Sequence, residues 1–527
     1  MINPHLIALK QPKAAFWLWF GPLVFMFLVG LYYVGRYQGH WAENDSALFT
    51  NISQNFLDSG QLVPPSGEIY SNGYTYQSIT AFLVTVTGLD IPSLQQLIFP
   101  LLAALIVLPA WLLYRELTGS AKGATITTLL LFTQPEFLFV ILRSSHEKFT
   151  RALLLLALYW LVRSFKVSDK PGLFATHILL FYLTAYAMIA SNNLMSNSFI
   201  FSVGLALALG WGLGFVRPGL RLVGQATMQR LTYVVLICLA LVFLFTFYAY
   251  TPAQNELSIL KNILDRTAAL FLDVQKDSQI SYNQAAGAWV NLPVYFLLSI
   301  ANWLVLGLSF LLWCWQGFRW VILGRKPSSQ VAWLLWLFYA AFAAQGVLSV
   351  VADASGYIGN FQNRVFPSFS IFGVAMVGVA LTNWQPPRFA SLLRIGLSLG
   401  VFFFTIFAVL KSTNEPLLSN KWVFYRPSEI VALDWGDQNL HNSYIWTDFD
   451  ERLNTAFGIL GKKNQNNNHF DAFEIKLGTR VVLASDVTRL RVSRLKRALP
   501  IPPDSLRIYD NGEAQLYRFR SQTPYQK

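Results

Sequence analysis

The stretch Trp41-Ala42-Glu43-Asn44-Asp45-Ser46 sets two carboxylates two positions apart, directly after the first apolar run of the chain. A carboxylate at a bilayer surface can take the proton of an acceptor hydroxyl, which is the work of a general base. Asp45 and Glu43 are therefore the candidate catalytic residues, against the plainer reading of a solvated polar loop. A second turn, Arg143-Ser144-Ser145-His146-Glu147-Lys148, is followed one helical turn later by Arg151. His146 and Glu147 together could hold a divalent cation, Mg or Mn, and their basic neighbours a phosphate-bearing ligand. The alternative is a salt-bridged helix cap. Arg364, in Gln362-Asn363-Arg364 at the mouth of an apolar run, either clamps a phosphate, whose oxygens suit a guanidinium, or anchors the helix by snorkelling.

These residues need a membrane scaffold. The 527 residues are 54% hydrophobic and 13% charged, which points to a polytopic membrane protein. About 20 apolar residues cross a bilayer. Such runs lie near 14–35, 94–114, 122–142, 149–165, 172–190, 197–216, 231–251, 292–316, 331–352, 365–383 and 391–411, for about eleven helices. The first run is long and no small-residue cleavage site follows it, so it reads as a retained span. The stretch 77–92 is brief and reads as interfacial or re-entrant.

Basic residues concentrate in cytoplasmic loops. With Lys10 and Lys13 cytoplasmic, the same side gathers Arg163, Lys166, Lys170, Arg217, Arg221, Arg319 and Arg325. The net charge of +13 is explained this way and carries no implication of nucleic-acid binding. Only the turn at 143–151 opposes the bias. Acids sort the other way, to the outer loops 36–92 and 252–291 and the outer turns, so a site should face outward. Within the first outer loop, 47–57 has helical character, Pro64-Pro65-Ser66-Gly67 is turn chemistry, and Tyr70, Tyr74 and Tyr76 suit an interfacial belt or a wall for a sugar ring. Asn51-Ile52-Ser53 matches a glycosylation sequon of little weight. Glu136 lies inside an apolar run, where a charge costs about 2.5–3.5 kcal/mol at mid-membrane, so it should face a wet cavity or a partner.

From 412 to 527 the composition changes, with 16 basic and 13 acidic residues. This reads as a small soluble α/β domain outside the membrane, after a transmembrane domain over 1–411. Ser428 should cap a helix to about Leu440. Tyr444 to Thr447 and Thr479 to Leu483 read as strands, and Asp486 to Arg497 as a helix. Leu506 to Phe519 reads as a hairpin turning at Asp510-Asn511-Gly512. Asp448-Phe449-Asp450-Glu451-Arg452 has a site-like look but is more simply a solvated loop. Cys238 and Cys314 lie in apolar runs and read as buried hydrophobes, not a disulfide. There is no repeat, P-loop, zinc spacing or dinucleotide fingerprint.

The order of one span, a long outer loop opening with acids, a second acidic turn after the third span, many further spans and an outer C-terminal domain resembles the GT-C superfamily of integral-membrane glycosyltransferases. Within it, the chain is similar to prokaryotic mannosyltransferases and aminoarabinose transferases that use dolichyl- or polyprenyl-phosphate sugars. The local match is Glu43-Asn44-Asp45-Ser46, Asn55-Phe56-Leu57-Asp58-Ser59-Gly60, Pro64-Pro65, Tyr74, Thr87-Gly88-Leu89 and the tail Tyr509 to Gln515. The resemblance implies Asp45 as general base with Glu43 second, and His146 and Glu147 on a metal or the donor phosphate. It implies an inverting hexosyl transfer from a polyprenyl-phosphate-linked sugar to a lipid, glycan or protein acceptor at the outer face of the cell membrane. Two departures stand out. Many relatives carry Asp-Glu where this chain has Asp45-Ser46, and the WWDxG motif of the oligosaccharyltransferase branch is absent. Arg143, Lys148, Arg151 and Arg364 are the candidates to hold the departing phosphate. The competing readings are a transporter or lipid flippase, and a non-catalytic scaffold of the same fold.

Overall fold

The computed structural model describes residues 12–42, 44–61, 74–167, 169–217, 220, 232–242, 261, 265, 292–354, 361–383, 390–413, 425–440, 445–446, 481–494, 499 and 501–519. Glu43, Pro64 to Gly67, Tyr70, nearly all of 252–291, Asp448 to Arg452 and 462–468 lie outside the described residues.

The helices are α1 (Pro12–Tyr37), α2 (Asn44–Ser59), α3 (Thr75–Thr87), α4 (Ile91–Thr118), α5 (Ala121–Phe132), α6 (Pro135–Leu142), α7 (Glu147–Lys166), α8 (Pro171–Ser191), α9 (Asn193–Val216), α10 (Thr232–Val242), α11 (Leu292–Leu298), α12 (Ile300–Ile322), α13 (Gln330–Ala354), α14 (Phe361–Asn383) and α15 (Ala390–Thr413). Seven described helices are long and apolar enough to cross a membrane, eight with α5 and α6 taken as one broken span. The chain is thus a multi-pass α-helical membrane protein. The lower count than eleven has local causes. Helix α7 carries Glu147, Lys148, Arg151, Arg163 and Lys166, and α14 is apolar only from Pro367 onward. Helix α10 is described over eleven residues.

The run at 122–142 breaks rather than crossing straight. Proline lacks an N–H and drives the residue before it out of the helical region. Gln134 accordingly adopts φ −92° and ψ 105°, and α6 leaves α5 at 81°. Helix α5 also packs tightly on α14: a Cβ at Gly378 would collide with Thr127 Oγ1, and one at Gly123 would lie 2.5 Å from Thr382 Oγ1. Small residues let helices approach in this way where lipid offers no hydrophobic drive.

Glu136, at the start of α6, has partners rather than a wet cavity. Lys411 Nζ sits 2.5 Å from its Oε1 and 2.6 Å from Ser299 Oγ, and the Asn302 amide donates to its Oε2. Cys238 is buried as expected; Cys314 is exposed, on the outward side of α12, which corrects the sequence reading.

Beyond α15 the described residues form a four-stranded sheet in the order β1-β2-β4-β3: β1 (Ile445–Trp446), β2 (Val481–Ser485), β3 (Leu506–Asp510) and β4 (Ala514–Arg518). Strand β1 runs parallel to β2, and the other pairs are antiparallel. Gly512, at φ +90°, makes the expected hairpin turn. Helices α16 (Pro427–Asn439) and α17 (Asp486–Arg494) complete the layer. Ser428 is not the cap of α16. Pro427 takes the first helical position, as its missing N–H allows, and Glu429 accepts the Arg426 N–H at 3.0 Å. Ser428 donates instead to Glu513.

Candidate functional site

Asp45 stands in the first turn of α2, where a helix N-terminus favours negative charge. Its Oδ2 receives Arg143 Nη1 at 2.6 Å. Arg143 closes the C-terminal end of α6 in an extended conformation, so the break at Pro135 is what aims it. Its other terminal nitrogen, Nη2, donates to Glu147 Oε2, and its guanidinium lies 4.9 Å from the centre of the Phe139 ring. One guanidinium thus joins carboxylates from two helices. The side chains of Arg143 and Glu147 are 4% and 5% exposed, that of Asp45 20%. Solvent reaches the group from the Asp45 side.

Neutral hydrogen bonds fix the surroundings. The Ser144 N–H donates to Ser46 Oγ at 3.2 Å, and Ser144 Oγ donates to the Gln95 carbonyl. Thr50 donates to Gln95 Oε1 at 2.6 Å and receives Trp41 Nε1 at 3.0 Å. Gln95 lies in a π-helical turn over Leu94–Ile98, a distortion common at functional sites. Gln95 and Thr50 were not marked by sequence. The only signal was a polar Gln95-Gln96 pair opening an apolar run.

His146 packs its ring 4.8 Å from that of Phe49. Asn192 Oδ1 accepts the Met195 N–H at 3.1 Å, so its amide nitrogen faces His146 Nε2 and donates to it. That arrangement places the imidazole proton on Nδ1. The fit to a divalent metal is poor. Glu147 Oε2 and Asp45 Oδ2 are both on the guanidinium, Nε2 is on Asn192, and among the described residues no group of three His, Cys, Asp or Glu side chains is arranged to hold a metal ion.

The other predicted phosphate binders point inward along α7. Lys148 is buried; Nζ donates to the Phe99 carbonyl at 2.5 Å and lies 5.5 Å from the Phe99 ring centre. Arg151 is fully buried and donates to Ser368 Oγ, with Met195 Sδ at 3.7 Å. Arg364 lies in the first turn of α14, its side chain outside the described residues. Asp45, Arg143, His146, Glu147 and Lys148 therefore share one end of the bundle. A cavity of about 450 Å³ lined by Glu116, Lys166, Ser329 and Asn383 lies at the opposite helix ends and takes no part.

The segment between α1 and α2 is also gripped from beyond α15. The Tyr425 N–H donates to the Ala42 carbonyl at 2.8 Å, and Trp41 packs on the cluster of Tyr425, Ile430, Leu433 and Leu516. Asp434 faces His40; burial, reinforced by Asp437, pushes its carboxyl above the ordinary range, against the pull of His40.

No protein-family model matches the chain, and no characterised protein matches it by sequence. Solved structures do match. The apo oligosaccharyltransferase of Archaeoglobus fulgidus superposes with a TM-score of 0.54 at 11% identity, over 89% of this chain and 70% of its own. ArnT from Cupriavidus metallidurans matches in the apo state with a TM-score of 0.54 at 13% identity, over 94% of this chain and 97% of that one. Its complex with undecaprenyl phosphate matches at 0.52 and 14%, over 96% and 99%. At such identities the likeness is one of fold, the fold that the archaeal oligosaccharyltransferase and ArnT share with this chain.

Proposed function

We propose that this chain is a membrane glycosyltransferase that moves a sugar from a polyprenyl-phosphate donor to an acceptor on the outer face of the cell membrane. The observation that carries the reading is the Asp45–Arg143–Glu147 chain at one end of a GT-C-like bundle. Asp45, with Glu43 as the second candidate, takes the proton of an acceptor hydroxyl on a lipid, glycan or protein. The oxygen so freed attacks the anomeric carbon from the face opposite the phosphate. The carbon–oxygen bond to phosphate breaks, and polyprenyl phosphate leaves with the electron pair. The hexosyl group is transferred with inversion.

The departing phosphate needs cations. Lys148 is the strongest candidate, because its buried ammonium has one carbonyl and one aromatic face as described partners. A buried charge is stable only when paired or well hydrogen-bonded, and an anion would complete it. Arg151, deeper on the same helix, and Arg364, in the first turn of α14, are the further candidates. Transport is the second reading, favoured by the broken span α5–α6 and its intramembrane charge. Against it, Glu136 is already paired with Lys411 and hydrogen-bonded by Asn302.

The test is transfer of a radiolabelled sugar from polyprenyl phosphate by the purified full chain. Asp45→Asn should lose about 100- to 10,000-fold in rate. Equal rates in variant and wild type remove Asp45 as base. Substrate flux in liposomes with no turnover would replace the transferase by a transporter.

A further inference from the structure

Asp45 and Glu147, the described carboxylates that a metal would draw on, are already bound to a cation. We infer that the Arg143 guanidinium is the built-in cation of this site, clamping Asp45 and Glu147 together, so that sugar transfer proceeds without a divalent metal. The inference rests on the transferase reading above and specifies its cofactor requirement.

Three observations carry it. First, the two terminal nitrogens of Arg143 each take one carboxylate, from α2 and from α7. Guanidinium is a rigid fork of donors that stays charged throughout the physiological range, so the clamp does not open by titration of its cationic half. Arg143 and Glu147 are nearly solvent-free, which strengthens their attraction and makes separation costly. Second, the neutral neighbours are committed elsewhere. Ser46, next to Asp45, brings a hydroxyl that receives the Ser144 N–H, and His146 Nε2 receives the Asn192 amide. Third, Lys148 and Arg151 lie buried on the first turns of α7. A dication added beside three buried cations would meet repulsion that low surrounding polarity does little to screen.

Two measurements on the purified full chain test the assignment. In a Mn²⁺ titration followed by paramagnetic resonance, wild type should leave the free-ion signal as it is in buffer. After dialysis against EDTA, transfer should change by less than about twofold. Arg143→Met should lower transfer about 100-fold or more, the scale of losing one fixed charge-stabilising donor. It should also expose Asp45 and Glu147 to the solution, so that the variant captures Mn²⁺ and the added change Asp45→Asn abolishes the capture. Stoichiometric Mn²⁺ binding by wild type that Asp45→Asn removes would overturn the inference, as would transfer abolished by EDTA and restored by Mn²⁺. If Arg143→Met does not fold, the wild-type titration decides alone. If wild type transfers no sugar from any polyprenyl-phosphate donor, the transferase reading falls, and the titration still decides which cation the carboxylates hold.

Discussion

Replacing Lys411 by Met should destabilise the bundle far more than replacing Lys411 and Glu136 together. The pair joins α6 to α15 across 275 residues of sequence, at 2.5 Å, with side chains 6% and 16% exposed. Lys411→Met leaves the Glu136 carboxylate with neutral donors, among them the Asn302 amide. Removing one partner of a buried ion pair costs about 3–5 kcal/mol, and an unpaired charge at mid-membrane about 2.5–3.5 kcal/mol. The two estimates overlap near 3 kcal/mol. Glu136→Gln should cost a similar amount, because the Lys411 ammonium loses its carboxylate and retains the neutral Ser299 hydroxyl at 2.6 Å. In the double variant, Lys411→Met with Glu136→Gln, no charge is stranded. The new side-chain amide can still meet Asn302, so the loss should fall to about 1 kcal/mol, the worth of an ordinary hydrogen bond. The cycle then shows a coupling of several kcal/mol, at or above the upper end of what neighbouring residues usually give. The assay is unfolding of the full chain in mixed micelles with rising SDS fraction. Transfer should follow stability, since α6 carries Arg143 at its far end. A double variant as unstable as the sum of its singles would refute the reasoning, and the charges would then be independently solvated.

Two further outcomes are expected. Lys148→Met keeps the length of the side chain and removes the ammonium; it should weaken binding of polyprenyl phosphate about 10- to 100-fold, the loss of one charged hydrogen bond of about 1.5–3 kcal/mol, as measured by thermal shift with titrated lipid. Asp510 accepts the Gly512 N–H at 2.8 Å, and this bond, with help from Gln515, holds its carboxyl below the ordinary range. A depressed carboxyl stabilises the hairpin above the unfolded value of about 4 and ceases to do so as pH falls through its folded value. Asp510→Asn should therefore loosen hydrogen-exchange protection over 506–518 at neutral pH and leave it unchanged in acid.

What could be read from the sequence divides by distance along the chain. The hairpin at Asp510-Asn511-Gly512 and the helical nature of 47–57 follow from residues that are neighbours in sequence, and both are present. Pro135 interrupts the apolar run at 122–142. The residue before it sets the bend, but no periodicity gives an angle of 81°. Partner choice was not legible. Lys411 closes the last apolar run and is the counter-ion of Glu136. Arg143 looked free for phosphate and is held by Asp45, 98 residues away. Nothing local to either names its mate, since ion pairing between helices depends on a packing that only the whole bundle defines. Ser428 failed for a smaller reason: a serine cap competes with proline at the position before it, and here Pro427 and Glu429 together set the helix start two residues earlier.

Asp45 is held from two directions, and this bears on what the site can do. From the bundle, Arg143 fixes its Oδ2 through an arm whose angle is set by the break at Pro135 and whose base is pinned by Lys411. From the other side, Tyr425 holds the Ala42 carbonyl three residues before it, and the neighbouring Trp41 is packed into the cluster formed by α16 and the sheet. Tyr37, at the end of α1, donates to the carbonyl of Thr413, the last residue of α15. Lys411 thus lies two residues from a second tie between the first span and the last. The same few residues of α15 steady the arm that carries Arg143 and the segment that leads to α2. A general base must meet its proton at about 2.6–3.2 Å, and small misplacements of such groups cost rate steeply. For the role proposed for Asp45, the guanidinium on its carboxylate and the tie at Ala42 supply that placement before any substrate arrives.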